Sequence, residues 1–328
     1  MKTIAPNKLR KGAHIRVIAP SRSLSLISAT TIEVAKKRLE SLGFKVSFGK
    51  NVYVTDEYDS STTAERVSDL HEAFTDKSVD CILTAIGGFN AIQILDSIDY
   101  DLIRKNPKVL MGFSDITILN CALLKKADLL TYSGPHFSSW GMVKHFEFSE
   151  KKFISSIMNS NSYELGVSDT WSDDLWYIDQ DNRDFIDNSK TQFIVREGSA
   201  EGTIIGGNLT CFSSLSGTGY RPSMDGAILF LEDDSTVTLR EFDRMLRSLT
   251  LQSDFKNIKG LVIGRFQKES NVGYEMLKDT LDSIKKFNGV PIIVNQNFGH
   301  TTPISVLPIG GKAKINAFND KLSIQIKG

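Results

Sequence analysis

Hydrophobic and polar positions follow two rhythms along the first half of the chain. HIRVIA (14–19) is a short β-branched run that reads as a strand, and the loop Pro20 to Ser25 follows it. TTIEVAKKRLESL (30–42) spaces its apolar residues as a helix does and stops at Gly43, a residue suited to a helix C-terminus. KVSFG reads as a second short strand. TTAERVSDLHEAFTD reads as a helix capped by Thr62 or Thr63, whose hydroxyl can accept a free backbone N–H. VDCILTAIGG is an apolar run closed by two glycines, AIQILDSI a short helix, and PKVLMGF a further strand. DITILNCALLKKA is a helix with lysines near its C-terminal end, where they offset the helix dipole. Alternating strands and helices predict a parallel sheet covered on both faces, with ligands at the carboxyl ends of its strands. Gly87-Gly88 and Gly112 to Asp115 both follow strands, so both fall on that edge.

The pattern weakens from about residue 160 to 197, where the chain turns polar, acidic and aromatic. This predicts a Rossmann-like N-terminal unit over 1–160, a connection over 161–197 and a C-terminal unit over 198–328. Trp171 and Trp176 argue that the connection is ordered. They would either pin it to the core or stack on a flat ligand. From 198 onward, EGTIIGG, GAILFLED, GLVIGRF, PIIVNQNFG, KAKINAF and KLSIQIKG read as strands, with helices at LREFDRMLRSLTLQ and YEMLKDTLDSIKKF. The result is a β-rich α/β unit with an open or partly closed sheet. The fold class is therefore α/β in two units.

Composition narrows the partners. A chain of 328 residues, 41% hydrophobic and 24% charged, is an ordinary globular one. Lys+Arg and Asp+Glu each number 39, so no basic excess exists to bind nucleic acid. No apolar run reaches the roughly 18 residues of a membrane span, and no signal-peptide apolar region opens the chain. Cys81, Cys121 and Cys211 lie far apart with no paired spacing. They read as free thiols in a reducing cytoplasm.

Candidate chemistry follows from position. In Gly112-Phe113-Ser114-Asp115 a strand turns sharply into a helix, as at a nucleophile elbow, with Ser114 at the tip. The backbone N–H of Asp115 would face a developing oxyanion, and Gly88 N–H offers a second donor on the same edge. Ser114 as a plain helix cap, and Gly87-Gly88 as a plain tight turn, are the competing readings. Of the 5 histidines, His300 lies on a loop just after a strand and suits a base. His136, after Gly134-Pro135, would line the site. Glu232 ends an apolar strand and suits the acid that orients the imidazole. A surface-loop histidine and an acidic strand end are the bland alternatives.

The motifs KGAHIRVIAPS, TAIGGFN, MGFSDIT, SGPHFSSWG, IIGGNLTCFSSLSGT, AILFLED, GLVIGRF and NFGHTTPISVLPIGGKAKI run in this order over nearly the whole chain. Together they resemble the L,D-carboxypeptidase family of serine peptidases, which includes the microcin C immunity (MccF-like) peptidases. The resemblance implies a Ser-Glu-His triad at Ser114, Glu232 and His300, and an oxyanion hole from the backbone of Gly88 and Asp115. It also implies an active site between the two units, a homodimer, and no metal or cofactor. Murein-recycling members carry an arginine before the double glycine; Ile86 stands there in this chain and resembles the immunity branch. WSDDLWYIDQDNR resembles the longer connecting loop of that branch, in which an aromatic stacks on a nucleotide base; Trp171 and Trp176 both fit. The implied substrate is a peptidyl- or aminoacyl-nucleotide. The rival is a murein tetrapeptide cut before its terminal D-alanine. A binding protein that keeps the fold without turnover is the rival of another class.

Overall fold

The computed structural model describes residues 3–159, 162–187 and 193–328. The first sheet is built from β1 (His14–Ile18), β2 (Lys45–Phe48), β3 (Cys81–Thr84), β4 (Val109–Met111) and β5 (Thr131–Ser133). They lie in the order 2-1-3-4-5 and all run parallel. Successive side chains on a strand point to opposite faces. Ile15, Val17, Leu83 and Met111 therefore pack with Leu39, Trp140 and Phe153 on one side. Ile18, Ile82 and Leu110 pack on the other, with the helices Thr63–Thr75 and Ile116–Ala127. Thr62 is the cap of the first of these helices, in a reciprocal capping box with Glu65. AIQILDS is a 3-10 helix rather than an α-helix.

The later part of the chain supplies β6 (Ser162–Glu164), β7 (Thr170–Trp171), β8 (Ile186–Asp187), β9 (Phe193–Arg196), β10 (Gly198–Asn208), β11 (Ala227–Glu232), β12 (Gly260–Gly264) and β13 (Ile292–Gln296). β14 (Leu307–Ile309), β15 (Lys312–Phe318) and β16 (Lys321–Lys327) complete it. The second sheet has the order β6-β16-β15-β10-β11-β12-β13-β9, parallel from β10 to β13 and antiparallel outside them. Among the described residues β6 and β9 are its edges, so the sheet is open and not the partly closed one that the sequence suggested.

Two features depart from the sequence reading. The stretch expected as a connection starts and ends as edge strands of the second sheet, β6 and β9, and β7 pairs β8 between them. Residues 160, 161 and 188–192 of that stretch, including the expected boundary after 160, lie outside the described residues. Second, β14 leaves the later part of the chain to pair antiparallel with β5 in the first sheet. One hydrophobic cluster joins Ile118, Leu119 and Ala122 to Phe212, Leu229 and Phe242, so both sheets share a core. Among the described residues no helix is long and apolar enough to cross a membrane. Cys81, Cys121 and Cys211 are free.

Candidate active site

The carboxyl ends of the first sheet's strands gather the loops named above. β4 ends at Met111, and the chain turns through Gly112 and Phe113 to Ser114. Ser114 has φ +58°, a left-handed conformation that costs a non-glycine residue about 1–2 kcal/mol. The helix Ile116–Ala127 follows at once, with Thr117 N–H donating to Ser114 O at 2.9 Å. Gly112 allows the turn to pack: a Cβ there would sit 2.1 Å from Thr84 Oγ1. Strand, strained serine and helix thus form the elbow that the sequence predicted.

Two other strand ends meet this serine. β11 ends at Glu232, which is 3% exposed. The loop after β13 carries His300. His300 Nδ1 lies 2.7 Å from Glu232 Oε2, and Nε2 lies 3.0 Å from Ser114 Oγ. An ionised carboxylate only accepts, so Nδ1–H donates to Glu232. In that tautomer a neutral imidazole accepts the Ser114 hydroxyl at Nε2. Gly299 makes this approach possible, because a Cβ there would fall 2.5 Å from Glu232 Oε2, and its φ of +99° suits glycine alone. Burial pulls the His300 imidazole down, but Glu232, Asp234 and Asp233 outweigh it and hold it above its ordinary value. Burial and Glu232 push the Asp233 carboxyl up to about 6.

The backbone amides of Gly88 and Asp115 donate to no group of the chain among the described residues. The Asp115 side chain is turned away from Ser114: its Oδ2 accepts from Ser21 Oγ at 2.6 Å and from Ala91 N–H at 2.9 Å. These bonds tie the loops after β1, β3 and β4 together and keep the Asp115 charge off the space beside Ser114.

A cleft of about 380 Å³ opens over Ser114, lined among others by Gly87, Gly88, Phe113, Trp176, Tyr177 and His300. His136 also lines it but is 3% exposed. Its ring stacks on Phe113 at 4.4 Å and its Nδ1 meets Thr84 Oγ1 at 2.8 Å. Burial, with His300 and Arg22 nearby, pulls it down to about 3, so it is neutral. The two tryptophans part company. Trp176 borders the cleft, edge-on to Tyr177. Trp171 lines a different cavity with Phe193 and Asn295, under the Arg265 guanidinium at 4.7 Å. The structure does not bring it to Ser114. Sequence reading missed Arg22, Phe113 and Tyr177 as lining residues. Arg22 lies in the loop after β1, and the parallel-sheet rule that placed Gly87-Gly88 on the site edge places this loop there too.

Comparison with known proteins gives the family. Residues 15–134 match the LD-carboxypeptidase N-terminal domain, and residues 201–315 match the LD-carboxypeptidase C-terminal domain. The chain belongs to the LD-carboxypeptidase family and is a serine carboxypeptidase. It is 43% identical to a Bacillus subtilis (strain 168) protein named Putative carboxypeptidase YocD, over 98% of both chains. Its fold is that of an MccF-like protein from Bacillus anthracis str. Ames, with TM-score 0.97, 48% identity and 99% of each chain covered. It also matches the microcin C7 self-immunity protein MccF, solved in complex with aspartyl sulfamoyl adenosine. Here the TM-score is 0.88 and the identity 28%, over 99% of this chain and 98% of the other.

Proposed function

We propose that Ser114, His300 and Glu232 form a catalytic triad that hydrolyses the amide between an acyl group and the nitrogen of a nucleotide-bearing leaving group. The continuous contact from Ser114 Oγ through His300 to Glu232, at 3.0 and 2.7 Å, carries this reading. His300 Nε2 takes the Ser114 proton as Oγ attacks the carbonyl carbon. Gly88 and Asp115 N–H groups receive the oxyanion, and the amide at the start of a helix suits that charge. As the tetrahedral intermediate collapses, His300 returns the proton to the leaving nitrogen and the acyl group stays on Ser114. Water, activated by the same imidazole, then frees the acid and restores the hydroxyl.

Trp176 and Tyr177 beside Ser114 support a nucleotide in the leaving group, because their rings offer stacking faces at the cleft. The MccF relative solved with an aminoacyl sulfamoyl nucleotide supports the same class. The second reading is murein tetrapeptide cleavage before the terminal D-alanine, favoured by the LD-carboxypeptidase description of both matching domains. The test is hydrolysis of an aspartyl-adenylate analogue and of murein tetrapeptide by the protein and by Ser114→Ala. We expect cleavage of the nucleotide substrate and a fall in kcat of about 10⁴ to 10⁶ in the variant, with binding kept. Near-normal turnover by Ser114→Ala would remove the triad, and cleavage of the tetrapeptide alone would decide for the second reading. A homodimer in the cytoplasm belongs to the same reading; sedimentation equilibrium at the monomer mass would remove the dimer.

A further inference from the structure

The order 2-1-3-4-5 of the first sheet reverses direction between β1 and β3. A crevice opens at such a reversal, outside the carboxyl ends of the two strands, and ligands bind there. The loop after β3 carries Gly87-Gly88, and the loop after β1 carries Arg22. Arg22 is half-buried, and its Nε–H donates to Gly87 O at 3.2 Å. Its stem lies directly on Gly88, where a Cβ would come 2.6 Å from Arg22 Cγ. The guanidinium packs over the exposed ring of Phe89 at 5.3 Å.

This anchoring occupies one of the five N–H donors that a guanidinium presents. Among the described residues no carboxylate lies within 4.0 Å of Arg22 and no hydrogen bond uses its terminal nitrogens. It is also the one arginine or lysine lining the cleft among the described residues. The acidic groups around that cleft are engaged elsewhere. Asp174 is bound by Arg183, Asp173 lies against Lys268, Asp234 Oδ1 accepts from Thr236, and Glu232 holds His300. Asp59, which shares the adjoining cavity with Arg22, makes no ion pair with it. A guanidinium that is anchored at Nε, lines the cleft and has no carboxylate partner suits a carboxylate or phosphoryl oxygen pair.

Its place on the sheet edge brings it to the chemistry. β1, β3 and β4 are adjacent strands, so the loops that carry Arg22, Gly87 and Ser114 adjoin. Arg22 is bonded to Gly87, whose Cβ position would lie 3.1 Å from the Ser114 Cβ. An anion held by Arg22 therefore lies in the same cleft as Ser114. We propose that Arg22 anchors the acidic group carried by the leaving amine, either the α-carboxylate of a C-terminal residue or the phosphoryl group of an N-acyl phosphoramidate. Arg22 is a specificity-determining residue in this role, and the proposal rests on the reading of Ser114 as nucleophile.

Two substrate pairs test it. One is an acyl-D-alanine peptide with a free carboxylate against its carboxamide. The other is an aspartyl phosphoramidate of adenosine against its neutral O-methyl ester. kcat and KM are measured for the protein, Arg22→Gln, Arg22→Lys and Ser114→Ala, with thermal melting to show that each variant is folded. The native protein should prefer the charged member of at least one pair. Arg22→Gln should shrink that preference by about 10- to 100-fold, mainly through KM, as expected for a lost charge-assisted bond. Arg22→Lys should restore part of it. Loss confined to the peptide pair assigns a carboxylate, and loss confined to the phosphoramidate pair assigns a phosphoryl group. A charge preference that survives Arg22→Gln, or no preference in the native protein, overturns the proposal. Turnover that survives Ser114→Ala instead overturns the reading beneath it.

Discussion

At the residue scale the decisive group is His300, because the same proton governs its chemistry and its contribution to stability. To act as the proposed base it must be neutral, and Glu232 and its acidic neighbours raise it above the ordinary histidine value of about 6.5 against the opposing pull of burial. The rate should therefore climb with pH through a midpoint above 6.5. Glu232→Gln keeps the shape but removes the charge, so burial prevails and the midpoint should move to lower pH. kcat should fall by about 10² to 10⁴ as the imidazole loses its orientation. A pH profile of kcat/KM for both proteins checks this, and an unmoved midpoint would detach Glu232 from His300. For stability the sign is opposite. A raised folded-state pKa means that the protonated ring is stabilised by folding. That contribution is whole below the unfolded value and is lost as pH rises through the folded one. The conditions that free the base thus withdraw part of its support.

At the scale of elements, the elbow and the long connection carry two further predictions. Ser114 holds a left-handed backbone that alanine does not relieve and glycine does. Ser114→Gly should be more stable than Ser114→Ala by about 1 kcal/mol in urea unfolding, although both are inactive. Equal stabilities would show that the turn is unstrained. In the connection, Trp176 borders the cleft and Trp171 lies under Arg265. Trp176→Ala should raise KM for the nucleotide substrate by about tenfold, as for one lost stacking contact. Trp171→Ala should leave KM alone and lower the melting temperature. The reverse outcome would exchange their roles. Position in the sequence did not separate these residues, since both sit in a polar stretch with weak periodicity. Other elements were legible for a physical reason. β3 and β4 are buried at every position and read as continuous apolar runs, and the turns after them carry glycines where the backbone needs them. β5 and β14 have three residues each, too few to show a period, and β14 joins its sheet from far along the chain. The proposed triad was visible as three separate positions at or just after strand ends, and the fold brings Ser114, His300 and Glu232 together. Arg22 escaped notice because nothing in PSRSLS sets one surface arginine apart until Gly87 is known to hold it.

At the scale of the whole molecule, the two sheets are held by shared parts. The helix Ile116–Ala127 is buried at Ile116 through Leu123 without a break, as a helix covered on every side must be. Part of that cover is Leu209 and Phe212, and Asn208 N–H donates to Thr117 Oγ1 at 3.0 Å. β14 completes the first sheet beside β5. Immediately after it, Gly310 N–H donates to Ile204 O in β10 of the second sheet. The serine and the two residues that contact it in series therefore come from halves that cannot separate without exposing one core. Unfolding should be a single transition, with equal calorimetric and van't Hoff enthalpies and loss of Ser114-dependent activity at the same temperature. A fragment of residues 1–160 should fail to fold on its own, since it lacks β14 and the apolar cover of the helix behind Ser114. Two resolved transitions, or a folded fragment with protected amides in β1, β3 and β4, would show instead that the first sheet supports itself. The active site would then be an interface between two independent units.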